Sequence, residues 1–334
     1  MFNFFKFSKK TREHAEQPKN GKTWTIHMLS EFFGTIFISL GLAGLSLYIN
    51  GKALEHWFLL HNIIVGFFAG FIIVGACLFI FLRWSCDLNP AVTIYRWFNG
   101  TNTSKYAIAK IAIQMVGAVV AGLIIYGLGL LTNGGNASNA AISAANSANK
   151  DFLAFNNSGK QALIGGSLWI FFGEMVMTAV LLFPIFSPRI DSKYRDVMIL
   201  FIISLSVWLG ILLGSAAINP ARGLAQQVPD LFFGFKAGST ASKYFATQNM
   251  MLTDLLLATF MMMLGDICAP FFYALVQGFT EKYFVNFVNN TIAFKNNKRQ
   301  NMISNFDLEQ AKKNNSQTKN TDSKEYKENK NNSF

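Results

Sequence analysis

The sequence predicts an all-α membrane protein with six transmembrane helices and two re-entrant half-helices, arranged as an inverted repeat. Three observations predict this fold class. The 334 residues are 51% hydrophobic but only 14% charged, whereas a typical soluble domain has about 25% charged residues. Six apolar stretches reach the roughly 20 residues that a helix needs to cross a bilayer. The tripeptide Asn-Pro-Ala occurs twice, each time after such a stretch.

The predicted spans contain almost no charged residues. They lie at about 24–49, 57–80, 105–131, 161–186, 196–214 and 250–279. Lys110 lies near the start of the third span, where its long side chain is expected to snorkel to the membrane surface. Gly66 and Gly70 are spaced as small residues are at close helix contacts, so we expect them to serve packing.

Basic residues lie mainly on one side of the predicted bilayer. An even number of spans places both termini on that side, which carries twelve Lys and Arg residues before the C-terminal tail is counted. The opposite side carries five: Lys52, Lys150, Lys160, Lys236 and Lys243. The richer side is therefore expected to be cytoplasmic, in a multi-pass protein of the cell membrane. The net charge of +11 sits at the two ends of an apolar body, which favours a lipid surface over a nucleic acid partner.

The chain contains an internal repeat. Glu31 and Thr35 form a Glu-x-x-x-Thr pattern in the first span, and Glu174 and Thr178 form the same pattern in the fourth. An Asn-Pro-Ala copy follows in each half, one at 89–91 and one at 219–221. Since each repeat has three spans, the two halves must insert with opposite topology, as in transport proteins with inverted repeats.

The two Asn-Pro-Ala copies predict the starts of two short helices. Asn caps a helix, and Pro fits the first helical position because its missing N–H is not needed there. The apolar residues that follow Asn89-Pro90-Ala91 and Asn219-Pro220-Ala221 extend for only two or three turns, to about 98 and 227, which is too short to span. The inverted halves would bring both N-termini to the bilayer centre, with the Asn amides donating hydrogen bonds into a shared pore.

The sequence resembles the aquaporin, or major intrinsic protein, family, and within it the glycerol facilitator branch. The residues that carry the resemblance are Glu31 to Thr35, Leu88 to Thr93, Gln114 to Ala118, Glu174 with Thr178, and Gly210 and Gly214 leading into Asn219 to Arg222. The resemblance covers about 24–280. It implies an aquaporin-like channel domain over that range, with repeats at about 24–131 and 161–280, assembled as a homotetramer. Residues 1–23 would form a basic cytoplasmic segment, and 281–334 a disordered basic cytoplasmic tail.

The resemblance also implies roles for particular residues. Arg222 would line the narrowest point of the pore, with Ala69, Val207 and Ala216 as its partners in the selectivity filter. Glu31 and Glu174 would hold the re-entrant loops by hydrogen bonds. Because these filter partners are small and apolar, glycerol and related polyols are the expected solutes, with water passing too.

The sequence departs from the family pattern at two places near these motifs. Gly223 stands where glycerol channels carry Asp after the filter arginine, and Asp87 lies in a changed segment before the first motif. Asp87 would either attract cations or pair with Arg83 or Arg96. Water-selective, ion-conducting and non-conducting structural proteins therefore remain alternatives. No enzyme, cofactor or metal site is expected, since no nucleophile–base pair or clustered ligand set is present.

Overall fold

A computed structural model describes most of the chain. The described residues are 12–43, 48–49, 52–53, 66–132, 144, 148, 160–187, 190–213, 217–235, 242–243, 246, 251–298, 309–310 and 312–313. They fall into two compact units, Met1–Val276 and Gln277–Phe334.

Helices occur at all six positions where the sequence predicts spans. These are α1 (Gly21–Ala43), α2 (π-helical Phe68–Val74 followed by α-helical Gly75–Phe81), α4 (Ser104–Thr132), α5 (Lys160–Phe186), α6 (Ser192–Leu213) and α8 (Leu252–Phe279). The short helices α3 (Pro90–Phe98) and α7 (Pro220–Phe233) follow the two Asn residues. The prediction of an all-α fold with two half-helices is confirmed.

Several helices have the length and composition of membrane spans. Within the described ranges four are long and apolar enough: Gly21–Leu42, Ser104–Leu131, Leu163–Phe186 and Leu252–Lys298. The other two predicted spans, α2 and α6, border residues outside those ranges. Large apolar side chains such as Phe33, Ile108 and Phe172 are more than half exposed. Such outward apolar surface is expected of helices that face lipid.

The α1 helix turns its polar residues inward. Glu31, Thr35 and Ser39 are fully buried and lie four residues apart, so they share one face. Phe33 and Phe37 lie between them in sequence and are exposed. A helix that buries its polar face and exposes its apolar face fits a membrane protein with a polar interior.

Each half-helix packs against helices of the other repeat. Ala225 of α7 shares an apolar cluster with Ala118 of α4. Val92 of α3 shares another with Leu182 of α5 and Tyr273 of α8. The two halves therefore interlock through their re-entrant segments.

Glycines allow the closest helix contacts. A Cβ atom on Gly70 of α2 would lie 2.2 Å from Ser204 Oγ and 2.3 Å from the Leu200 carbonyl oxygen, both on α6. A Cβ on Gly66 would overlap the ring of Trp208, also on α6. The packing role predicted for Gly66 and Gly70 is confirmed.

The second half-helix is longer than predicted. It reaches Phe233 although Pro229 lies inside it, six residues beyond the expected end at about 227. Val228 is fully buried against Gly122 of α4, and Gln227 Oε1 accepts a hydrogen bond of 2.9 Å from the backbone N–H of Ala144. These tertiary contacts outweigh the lost backbone hydrogen bond at Pro229.

The first span ends earlier than predicted. Residues 48–49 were expected to be helical, but Tyr48–Ile49 (β1) pairs antiparallel with Lys52–Ala53 (β2). The sequence between the strands is Asn50-Gly51, the pair that most strongly favours a tight hairpin. This signal was hidden by the apolar residues around it.

The second unit is helical over its first part. Thr280–Phe284 is π-helical and 285–298 is α-helical, so 281–298 is helical where the sequence predicts disorder. Aromatic residues continue to Phe294 in this segment, which makes its composition less polar than that of the Asn- and Lys-rich residues after it. A disordered segment is expected to have few aromatic residues.

Candidate functional site

The two half-helices begin at matching asparagine caps. Asn89 has extended backbone angles, and its Oδ1 accepts a hydrogen bond of 2.9 Å from the Ala91 N–H. Asn219 Oδ1 accepts bonds of 3.0 and 3.2 Å from the N–H groups of Ala221 and Arg222. Proline follows each cap at the first helical position. These contacts are the ones that Asn-Pro favours at a helix N-terminus.

The caps also join the two loops to each other. Asn89 Nδ2 donates to the Ile218 carbonyl oxygen at 2.9 Å, and Asn219 Nδ2 donates to the Leu88 carbonyl oxygen at 2.7 Å. The N-terminal ends of α3 and α7 therefore meet. Each amide group carries two N–H donors, and the crossed bonds use one of them. The sequence predicts that both amides face a pore, and the structure shows that they link the two loops.

The residues before the asparagines have an unusual backbone. Leu88 has φ of 49° and Ile218 has φ of 55°, values that bulky residues rarely adopt. Holding a non-glycine residue there costs about 1–3 kcal/mol. The same two residues provide the carbonyl groups that accept the crossed asparagine bonds. The strain therefore accompanies the turn that directs each carbonyl toward the opposite loop.

Two buried glutamates accept hydrogen bonds from these loops. The carboxylate of Glu31 accepts bonds from the N–H groups of Asp87 and Leu88 at 2.9 and 2.8 Å. The carboxylate of Glu174 accepts bonds from the N–H groups of Ala217 and Ile218 at 2.9 and 2.8 Å. Backbone donors at membrane depth need such acceptors.

A buried charge cluster surrounds the first loop. Lys110 Nζ lies 3.1 Å from Glu31 Oε1 and 2.5 Å from Asp87 Oδ2, and Arg96 Nε lies 2.9 Å from Asp87 Oδ1. Thr93 Oγ1 also donates to Asp87 at 2.9 Å. Burial alone would raise the pKa of the Asp87 carboxyl, but Lys110 and Arg96 outweigh it and hold that pKa below its usual range.

This cluster corrects one expectation and decides another. Lys110 does not snorkel to the surface, because Glu31 and Asp87 hold its ammonium group, and the residue is only 3% exposed. Of the two roles considered for Asp87, the structure shows pairing with Arg96, and with Lys110 as well. Lys110 is a residue of the site that the sequence motifs do not predict. The signal that pointed to it was a lysine inside a predicted span.

Three of the four expected filter residues lie in the described part of the chain. Arg222 is 6% exposed at the start of α7, and its Nη2 donates to the Leu42 carbonyl oxygen at 3.3 Å. Ala69 is fully buried in the π-helical part of α2. Val207 is half-buried on α6, beside an apolar cluster that includes Ile203. Ala216 lies outside the described residues.

Gly223 has little room for a side chain. A Cβ atom there would lie 2.8 Å from Ala217 Cβ and 2.8 Å from Met262 Cε. Ala217 is fixed by its hydrogen bond to Glu174. Met262 of α8 thus occupies the space beside the position where glycerol channels carry Asp.

A polar cavity adjoins the first loop. Its volume is about 500 Å³, and its lining includes Lys19, His27, Cys86, Asp87, Arg96 and Tyr106. His27 Nδ1 lies 2.7 Å from the Tyr106 hydroxyl, and Ser85 Oγ donates to Glu31 at 2.5 Å. The cavity therefore leads from the N-terminal side of α1 to the charge cluster and the loop before Asn89.

The second half has its own buried acid. Asp266 of α8 is fully buried and accepts a hydrogen bond of 2.5 Å from Thr178 Oγ1. Its carboxyl group also interacts with that of Glu174. The two loops are thus supported differently: Glu31 contacts a cation, whereas Glu174 contacts another acid.

Comparison with known families agrees with this arrangement. The model of the family described as "Major intrinsic protein" matches residues 20–233, which include both Asn-Pro-Ala segments. No individually curated protein shows a reliable sequence match. Proteins of this family are channels for water or small solutes and are not enzymes. The match covers more than half of the chain, and the chain has the apolar helices of a membrane protein. The chain therefore belongs to the major intrinsic protein family and is a multi-pass membrane channel for water or small solutes.

Proposed function

We propose that this protein is a passive channel for glycerol and related polyols, through which water also passes. The pore would run past Asn89 and Asn219 where α3 and α7 meet, and past Arg222 at the start of α7. The protein would act in the cell membrane as a homotetramer with both termini in the cytoplasm.

The paired helix ends support exclusion of cations and protons. Each helix N-terminus carries roughly half a positive elementary charge, and two of them meet at the crossed asparagines. Arg222 adds a full positive charge beside them. A neutral hydroxyl can accept a hydrogen bond from an asparagine N–H, whereas a cation loses hydration that these donors cannot replace.

The size of the filter side chains is the observation that carries the choice of solute. Ala69, Val207 and Ala216 are the residues that the family pattern places around Arg222, and all three are small and apolar. A filter of this kind leaves room for the carbon backbone of a polyol, while Arg222 offers donors to its hydroxyl groups.

The buried glutamates support a rigid loop structure. Glu31 and Glu174 each accept two backbone hydrogen bonds, which fits a role in holding the loops.

We assign the channel to 24–280, with a basic cytoplasmic segment at 1–23 and a basic cytoplasmic tail at 281–334. The excess of Lys and Arg in the loops on the side of the termini supports this orientation.

Reconstitution into proteoliposomes tests the proposal. Stopped-flow light scattering should show fast swelling in glycerol, and planar bilayers should show no ionic current from the same preparation. The variant Val207→Phe should slow glycerol more than water, because it narrows the filter. The matched control Val180→Phe, at a lipid-facing position that is 45% exposed, should leave both fluxes unchanged.

Other outcomes would overturn the proposal in distinct ways. Water flux without glycerol flux indicates a water-selective channel. Single-channel currents without glycerol flux indicate an ion channel. A folded protein that passes none of these is a structural protein.

A further inference from the structure

The charge cluster beside the first loop is balanced. Glu31 and Asp87 are the two acids, and Lys110 and Arg96 are the two bases, so the formal charges cancel. The acid side chains and Lys110 are at most 4% exposed, whereas the Arg96 side chain is 35% exposed. Lys110 is therefore the buried base of the cluster.

The position of Lys110 is costly for the protein. A charged side chain within a span is unfavourable unless it is paired, and a lysine close to a helix end normally extends to the surface. Lys105, five residues earlier on α4, is exposed. Lys110 instead contacts one acid from α1 and one from the loop that leads to Asn89.

The location of Asp87 suggests what the lysine does. Asp87 lines the cavity beside the first loop and precedes Asn89 by two residues. An unbalanced carboxylate there would attract cations to the approach of the two helix ends. This would oppose the repulsion of cations by the positive charge of those ends. A positive charge beside Asp87 balances the carboxylate and removes that attraction, while the loop stays the same.

We propose that Lys110 is a specificity-determining residue that neutralises Glu31 and Asp87, so that the approach to the paired asparagines does not concentrate cations. This inference rests on the proposed function, since it assumes that the pore passes beside the first loop. It adds the buried contacts of Lys110 with Glu31 and Asp87 to the groups that set charge selectivity, which are otherwise Arg222 and the helix ends.

The variant Lys110→Met tests the inference because it removes the charge and keeps the length of the side chain. Potassium flux into proteoliposomes is read with an enclosed indicator dye at pH about 8.5. It should rise roughly tenfold, as expected for one unit charge about 12 Å from the ion at an effective dielectric constant near 20. Lys110→Arg keeps the charge, and Asp87→Asn with Lys110→Met restores neutrality, so both should remain tight to potassium. Lys105→Met is the matched surface control.

A second variant guards against a folding defect. Arg96→Met also leaves the cluster with one excess negative charge, but it alters a side chain that is partly exposed. It should leak potassium as Lys110→Met does. Folded Lys110→Met or Arg96→Met channels that stay tight to potassium, or a neutral double variant that leaks equally, would overturn the inference.

Glycerol swelling in the same vesicles separates this inference from the proposed function. If potassium flux follows the charge of the cluster but no variant passes glycerol, the solute assignment fails and the role of Lys110 stands. If glycerol passes and potassium flux ignores the cluster, the role of Lys110 fails and the solute assignment stands.

Discussion

Neutralising the two loop-supporting glutamates should have unequal effects, although they make the same backbone contacts. Glutamine at position 31 or 174 keeps one oxygen acceptor and replaces the other with an NH₂ group. One backbone N–H in the corresponding loop then loses its acceptor. A buried N–H without a partner costs about 1–3 kcal/mol, and this cost applies to Glu31→Gln and Glu174→Gln alike.

The surroundings of the two glutamates make the difference. In Glu31→Gln, Lys110 also loses an anionic partner at 3.1 Å. Breaking a buried pair costs about 3–5 kcal/mol, and the remaining contact of Lys110 with Asp87 reduces this to roughly 2–3 kcal/mol. In Glu174→Gln, the neighbouring side chain is the acid Asp266, and an amide at position 174 can still hydrogen-bond to it. We therefore expect Glu31→Gln to be the more destabilising by about 2 kcal/mol or more.

Thermal melting in detergent measures the difference. At roughly 2–4 °C per kcal/mol, Glu31→Gln should melt at least about 4 °C below Glu174→Gln. Glu16→Gln, at an exposed position, is the matched control and should melt like the unchanged protein. Equal melting temperatures, or a lower one for Glu174→Gln, would show that Lys110 does not depend on Glu31 and would refute the reasoning.

Four further predictions concern packing, the caps and the pore. Gly70→Ala should destabilise the protein by about 1–3 kcal/mol in the same melting assay, because its new methyl group meets α6, whereas Gly127→Ala, with open space around it, should not. Asn219→Leu removes both the cap and the crossed bond, so it should cost about 2–3 kcal/mol and reduce glycerol swelling; unchanged swelling would contradict the paired-loop pore. A mercurial should slow glycerol swelling by reacting with Cys86, which lines the cavity, and Cys86→Ser should abolish the effect; equal sensitivity of the variant would place the cavity off the pathway. Arg222→Ala should raise potassium flux roughly tenfold while glycerol still passes, and a variant as tight as the parent would remove Arg222 from the charge barrier.

The half-helices and their supports were predictable from sequence because a repeat doubles each weak signal. One Asn-Pro-Ala or one buried glutamate has many explanations. Two copies at matching places, each with a Glu-x-x-x-Thr span before it, leave few, and the loop contacts of Glu31 and Glu174 follow the same symmetry.

The charge cluster was not predictable because it breaks the symmetry. The second repeat offers no counterpart of Lys110, so comparing the two repeats does not reveal its role. Its partners come from α1 and from the loop before α3. A lysine near a helix end fits snorkelling equally well until those partners are placed. The space beside Gly223 depends likewise on Met262, a residue of α8 that is distant in sequence.

The interlocked packing of the half-helices constrains the order of biosynthesis. The α3 helix leaves the ribosome early, but part of its final apolar cluster, including Tyr273, is translated about 175 residues later. At roughly 5–20 residues per second that delay is on the order of 10–35 s. During this interval the first loop has only Glu31 and its own repeat to hold it. A chain released between the repeats would therefore leave α3 without its docking surface, and the nascent protein depends on its last span to complete its first loop.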